Sequence, residues 1–132
     1  MIDAECRSLN GCQMDVIHAV GPVVNSTGST YSGGSLQQPP NNDHLLVGCY
    51  QHLLDLVAYR GWKSVAIPCI SAGAKGYPHD RAGHIALRTV RQWLESNPYA
   101  SRLDRVIFCL YQQQDLDVYT KLMIEYFPVV QT

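Results

Sequence analysis

Two glycines three residues apart, Gly73 and Gly76, follow an apolar run and precede Pro78. Val65-Ala66-Ile67-Pro68-Cys69-Ile70, then Ser71 to Tyr77, then Pro78 reads as strand, Gly-rich turn and helix start. Such a turn can aim successive backbone N–H groups at one point, and the positive end of the following helix adds to the field. Glycine is suited to it because positive φ and close backbone approach carry little steric cost without a Cβ. The chemistry implied is a phosphate or pyrophosphate held by Ser71, Ala72, Gly73, Ala74, Lys75, Gly76 and Tyr77. The same spacing also occurs in strand–helix connections that bind nothing, so both readings stand on the residues alone.

Other chemistries at this stretch fail on residue type. A cysteine phosphatase needs an arginine about six residues after its nucleophile, and Cys69 is followed there by Lys75. A point charge does not reproduce the bidentate grip of a guanidinium on phosphate. A serine nucleophile elbow needs glycine two residues either side, whereas Ser71 is flanked by Ile70 and Ala72 and has Cys69 two residues before it. Cys6, Cys12, Cys49, Cys69 and Cys109 are odd in number and scattered, with no zinc-like Cys/His pair. They read as reduced thiols and suggest a cytosolic or nuclear compartment, without metal or cofactor. His18 lies inside an apolar run and is read as a core histidine bonded to backbone.

The elements that position the turn follow from periodicity. Residues 1–14 are polar and mixed, with at most a short helix, and 16–20 reads as a strand stopped by Gly21-Pro22. Residues 21–42, rich in Gly, Ser, Asn and Pro, read as a long mobile loop. A helix capped by Asn42 or Asp43 carries Leu46, Cys49/Tyr50, Leu53 and Val57 on one face and stops at Gly61. After the strand at 65–70 and the turn, a helix over 79–96 buries Ala82, Ile85/Ala86, Thr89/Val90 and Trp93, with Arg81, Arg88 and Arg91 on a solvated face. A strand at 105–111 and a helix from Asp115 to Phe127-Pro128, with Leu116, Tyr119, Leu122/Met123 and Tyr126 inside, complete the pattern. Alternating strands and helices specify an α/β fold with a parallel sheet, whose ligands sit at the carboxyl ends of its strands.

Composition sets limits around this reading. The 132 residues are 46% hydrophobic and 16% charged, enough apolar material for one domain with its own core. A net charge of −1 offers no basic footprint for nucleic acid or an anionic membrane. Asp3, Glu5 and Arg7 argue against a signal peptide, and no apolar run approaches membrane-spanning length.

Taken together, Val16-Ile17-His18-Ala19-Val20-Gly21-Pro22, Cys49-Tyr50, the run from Pro68 to Pro78, Ala86 to Arg91, and Tyr126-Phe127-Pro128 resemble the macro domain, and its MacroD-type branch most. The resemblance covers about residues 5–128. It implies a three-layer sandwich with a parallel or mixed sheet and helices on both faces. It also implies a ligand: macro domains bind ADP-ribose, and some remove it from modified proteins or deacetylate O-acetyl-ADP-ribose. The family's first strands, its ribose-binding Asn-rich stretch and its first Gly-rich loop with the catalytic Asp belong upstream of Glu5-Cys6, where this chain has four residues. The expectation is therefore an N-terminally truncated macro fold without catalytic residues of its own. Within the turn the family's Thr is Ala72 and its aromatic lid is Lys75, which can add a charged contact to phosphate. Tyr111 corresponds to the aromatic beside the adenine, or else packs on the last helix.

Three functions follow as expectations. The first is a module for ADP-ribose or an ADP-ribosylated protein. The second is the back part of a MacroD-type hydrolase or deacetylase, and the third is a scaffold working through an exposed sheet edge. An unpaired apolar edge also leads us to expect self-association.

Overall fold

The computed structural model describes residues 2–9, 12–23, 42–73 and 75–130. Its three helices form where the apolar period demands them. Helix α1 (Asp43–Arg60) stops at Gly61, whose φ of 71° lets its N–H reach the Ala58 carbonyl while the Trp62 N–H reaches that of Val57. Asn42 stands at the N-cap without a side-chain cap; its amide instead donates to the Val23 carbonyl at 3.3 Å. Helix α2 (His79–Ser96) buries the whole expected stripe and adds Gly83 and Leu87. Helix α3 (Gln113–Tyr126) begins two residues before the expected Asp115 and buries only part of the expected stripe, Tyr119 and Leu122, together with Asp115. Asp115, Tyr119 and Leu122 are buried there, while Leu116 and Met123 are exposed. The inward face is set by the polar anchor at Asp115 and not by apolar spacing alone.

The strands depart further from the expectation. Residues 2–19 are not helical at any described position: β1 (Ile2–Leu9) pairs antiparallel with β2 (Cys12–Ala19), from Ile2↔Ala19 to Leu9↔Cys12. Ile2, Ala4 and Cys6 alternate with Asp3, Glu5 and Arg7, the period-2 signature of a strand, and the intervening dipeptide Asn10-Gly11 is the strongest short hairpin signal. The strand read at 16–20 therefore belongs to a hairpin. The parallel pairing itself holds: β3 (Ser64–Pro68) runs beside β4 (Arg105–Cys109) with Ile67 opposite Phe108. The described strands thus form two separate two-stranded sheets.

One core joins these parts. Ile67 of β3 packs with Leu46, Tyr50, Leu54 and Val57 of α1, Ile85, Leu87 and Val90 of α2, and Tyr119 and Leu122 of α3. Both parallel strands alternate in burial, so Val65, Ile67, Val106 and Phe108 turn inward while Ala66, Pro68, Ile107 and Cys109 are exposed. Most of residues 21–42, read as a mobile loop, lies outside the described residues. His18, read as a core histidine, is exposed, because β2 lies at the margin of the molecule.

Thr89 of α2 is 2% exposed, and its hydroxyl has no hydrogen-bond partner among the described residues. An orphaned buried polar group costs about 1–3 kcal/mol. Thr89→Val, which keeps the shape and removes the hydroxyl, is expected to stabilise the chain by about 1 kcal/mol. The midpoint of thermal unfolding should rise by a few degrees; a lower midpoint would mean that the hydroxyl is satisfied after all.

Candidate functional site

The Gly-rich turn leaves the end of β3 and enters α2. Ser71, Gly73 and Gly76 all have positive φ (65°, 86° and 74°), so the backbone reverses its hand three times in six residues. Alternation of this sort curves a backbone into an anion-binding concavity. The turn closes on itself through Gly76 N–H to the Gly73 carbonyl (2.9 Å) and Tyr77 N–H to that of Ser71 (3.2 Å). Those two donors are directed inward, toward the turn. Among the described residues nothing lies within 4 Å of where a Cβ on Gly73 would stand. Ala74 lies outside the described residues.

Side chains fix one flank of the turn to the segment after β2. Ser71 Oγ donates to the Pro22 carbonyl and Lys75 Nζ to the Gly21 carbonyl, each at 2.7 Å. A Cβ on Gly21 would lie 2.3 Å from Ser71 Oγ and 2.5 Å from Ile70 Cγ2, so only glycine admits this approach. Ser71, a non-glycine residue in the left-handed region, carries a strain of order 1–2 kcal/mol that these contacts offset. The Lys75 ammonium keeps two further donors beyond the one on Gly21.

The exit of the turn is tied to the start of α1. The Tyr77 hydroxyl donates to Asp43 Oδ1, and Arg81 donates to Asp43 Oδ2 from Nη2 (2.8 Å) and Nε (3.2 Å). Arg81 also stands 5.8 Å over the Tyr77 ring, so it does more than line a solvated face. Burial pushes the Asp43 carboxyl up, but the hydrogen bonds from Arg81 and Tyr77 outweigh it and the net shift is downward. Burial, and then the Asp43 hydrogen bond, push the Tyr77 phenol up to about 12.

Beneath the turn runs a polar chain that the sequence reading missed. Ile70 N–H meets the Tyr50 hydroxyl at 3.5 Å, and Tyr50 is hydrogen-bonded to Tyr119. Tyr119 reaches the Cys69 thiol, and Cys69 reaches Asp115. Asp115 Oδ1 lies 2.5 Å from His79 Nδ1. The chain thus joins the residues before the turn (Cys69, Ile70) to the residue after Pro78. Burial pushes the Cys69 thiol up and the Asp115 charge adds to this, so it stays protonated and is no nucleophile. From sequence, Asp115 reads only as a helix start and Tyr119 only as part of an apolar stripe. Only an acidic residue placed on a helix's inward face hinted otherwise.

Tyr111 follows β4 and is 99% exposed, so it does not pack on α3. The ring stands open to solvent on the strand-end side.

Comparison with known proteins bears on the fold that carries this turn. The sequence model of the Macro domain family matches residues 4–86. Mouse "ADP-ribose glycohydrolase MACROD2" is 39% identical over 140 residues, covering 96% of this chain but 27% of that protein. The macro domain of ganglioside induced differentiation associated protein 2 superimposes with a TM-score of 0.70 at 32% identity, covering 86% of this chain and 50% of that one. A point mutant of the Oceanobacillus iheyensis macrodomain, solved with ADPR, gives 0.71 at 30% identity, covering 94% and 60%. The chain spans about half the length of these solved domains, and less of the mouse protein.

Two measurements probe the supports of the turn. Because the folded Asp43 pKa is depressed, its stabilising effect is full above the usual carboxylate range and is lost as pH falls through the folded value. Asp43→Asn should cost about 1 kcal/mol at pH 7, a figure kept small because Arg81 is half exposed. That deficit should shrink below about pH 4; a deficit independent of pH down to acid unfolding would contradict the assignment. Asp115→Ala strands His79 and Cys69 and should cost about 3 kcal/mol in urea unfolding. A cost near zero would show that the chain beneath the turn holds nothing.

Proposed function

This chain belongs to the macro domain family, and on that premise we propose that it is an ADP-ribose-binding module whose Gly-rich turn, residues 71–77, holds the pyrophosphate. The observation that carries the reading is the turn with positive φ at Ser71, Gly73 and Gly76, open at Gly73 and braced on three sides. A pyrophosphate has several oxygens spread over a few ångströms, and a curved run of backbone with the Lys75 ammonium beside it suits that charge distribution. The N-terminus of α2 directly behind Pro78 adds its positive end. Ser71, Ala72, Gly73, Ala74, Lys75, Gly76 and Tyr77 are the residues assigned to the ligand, and the exposed ring of Tyr111 is assigned to the adenine side.

The physiological ligand in this reading is ADP-ribose itself or a protein carrying it, in a reducing compartment, cytosolic or nuclear. A similar protein is named a glycohydrolase and a similar structure was solved with ADPR, which supports the ligand class. Hydrolysis is the second reading. It needs a group within hydrogen-bonding reach of the reacting atom, and among the described residues no carboxylate other than the hydrogen-bonded Asp43 contacts a side chain of the turn. We assign this chain binding without turnover.

Calorimetric titration tests the assignment. ADP-ribose should bind the wild-type chain, and Gly73→Val, which forces a β-branched residue to a φ of 86°, should weaken it by at least tenfold while leaving the far-ultraviolet circular dichroism close to wild type. Equal affinity in the variant would place the ligand elsewhere. Release of ADP-ribose from a modified peptide above the Gly73→Val background would replace the binding-only reading with the hydrolase.

A further inference from the structure

The loops that lead into β3 and β4 gather positive charge at one end of the molecule. Arg60, Lys63, Arg102 and Arg105 are all exposed there, four of the 10 lysines and arginines of a chain whose net charge is −1. The two loops are neighbours. The Lys63 carbonyl accepts from the Asp104 and Arg105 N–H groups at 2.7 and 3.2 Å, and Asn97 donates to Asp55 of α1 at 3.4 Å. Asp104 is the single carboxylate within residues 60–64 and 97–105, and Asp55 is taken up by Trp93 and Asn97. Among the described residues none of the four cations is in an ion pair, whereas Arg81 and Arg91 of α2 are each paired with a carboxylate. Two of the four are held flat on aromatic rings: Arg60 stands 5.8 Å over Trp62 and Arg102 4.6 Å over Tyr99. Tyr59, one helical turn past Asp55 on the same face of α1, is 85% exposed.

We propose that this end of the molecule docks a short acidic segment of a partner protein, its carboxylates gripped by Arg60 and Arg102 and an apolar side chain laid against Tyr59 and Tyr99. A guanidinium lying on a ring keeps its N–H edge free, and that edge matches a carboxylate through two parallel hydrogen bonds. The stack also holds the side chain, so docking has less of it to order. Tyrosines beside arginines are, moreover, the composition of binding hot spots. Three features select a peptide over a strand of nucleic acid. Asp104 interrupts the cations and repels an unbroken line of phosphates, whereas a peptide can carry its carboxylates to either side of it. One face each of Trp62 and Tyr99 is covered by a guanidinium, which leaves little ring surface for stacked bases. A net charge of −1 gives no long-range field to draw in a polyanion. The Gly-rich turn leaves the other end of β3, so this surface is separate from the site proposed for ADP-ribose.

The probe is a fluorescent octapeptide with glutamates flanking a central leucine, titrated by anisotropy into the whole chain. Its glutamine counterpart and a labelled oligothymidylate are the comparisons. The acidic peptide should bind saturably, more weakly as salt is raised, and at least tenfold tighter than either comparison. Arg60→Glu combined with Arg102→Glu should weaken it at least tenfold, and both positions are exposed, so the thermal midpoint should stay close to wild type. Arg102→Lys, which keeps the charge and loses the flat N–H edge, should weaken it about threefold. No saturable binding, equal binding of the glutamine peptide, oligothymidylate bound as tightly or tighter, or indifference to these substitutions would overturn the proposal. ADP-ribose affinity should be the same in wild type and in both variants, so the outcome is independent of the ligand assigned to the turn.

Discussion

Where one buried carboxylate is held decides the shape of the Gly-rich turn. Asp115 is 5% exposed, and an isolated charge at such depth would be prohibitively costly without partners. Its partners are His79 at the start of α2 and Cys69 at the end of β3, the residues that bracket the turn. Satisfying Asp115 therefore brings both ends of the turn against the first turn of α3. Tyr119 and Tyr50 extend the same chain to α1, and Tyr50 returns it to the backbone of Ile70. Burial and mutual interaction push both phenols up, so they remain hydrogen-bonded neutral groups rather than titrating ones.

The turn is strained at Ser71 and braced on either side of it. Ser71 in a left-handed conformation stores unfavourable energy, and its hydroxyl's 2.7 Å bond to the Pro22 carbonyl, with that of Lys75 to the Gly21 carbonyl, holds the turn there. On the far side, Tyr77 and Arg81 converge on Asp43, at the first residue of α1, where a negative charge also complements the helix dipole. A turn held from three directions is ordered in advance, so a ligand bound there as proposed need not carry that entropic cost.

Among the described residues the helices and the parallel strand pair bury one face each. Helices α1, α2 and α3 share one core with the inner face of β3 and β4, while Ala66, Pro68, Ile107 and Cys109 remain open on the other. Parallel strands this apolar are normally covered on both faces.

Local rules made much of this protein legible from sequence. The spans of α1 and α2, the stop at Gly61 and the strand–turn–helix order around Gly73 and Gly76 follow from periodicity, left-handed caps and glycine's freedom, all of which act over a few residues. The hairpin was equally local, written in the alternation of residues 2–7 and in Asn10-Gly11, but its polar residues obscured it. What tertiary structure alone decided is the meeting of residues far apart in the chain: His79 with Asp115, 36 positions away, Tyr77 with Asp43, 34 away, and Ser71 with Pro22, 49 away. Each is an exposed-looking polar residue whose value depends on being removed from water beside one particular partner. No period in the sequence encodes which partner that is, because the pairing is set by how three helices pack on Ile67, and desolvation then makes it obligatory.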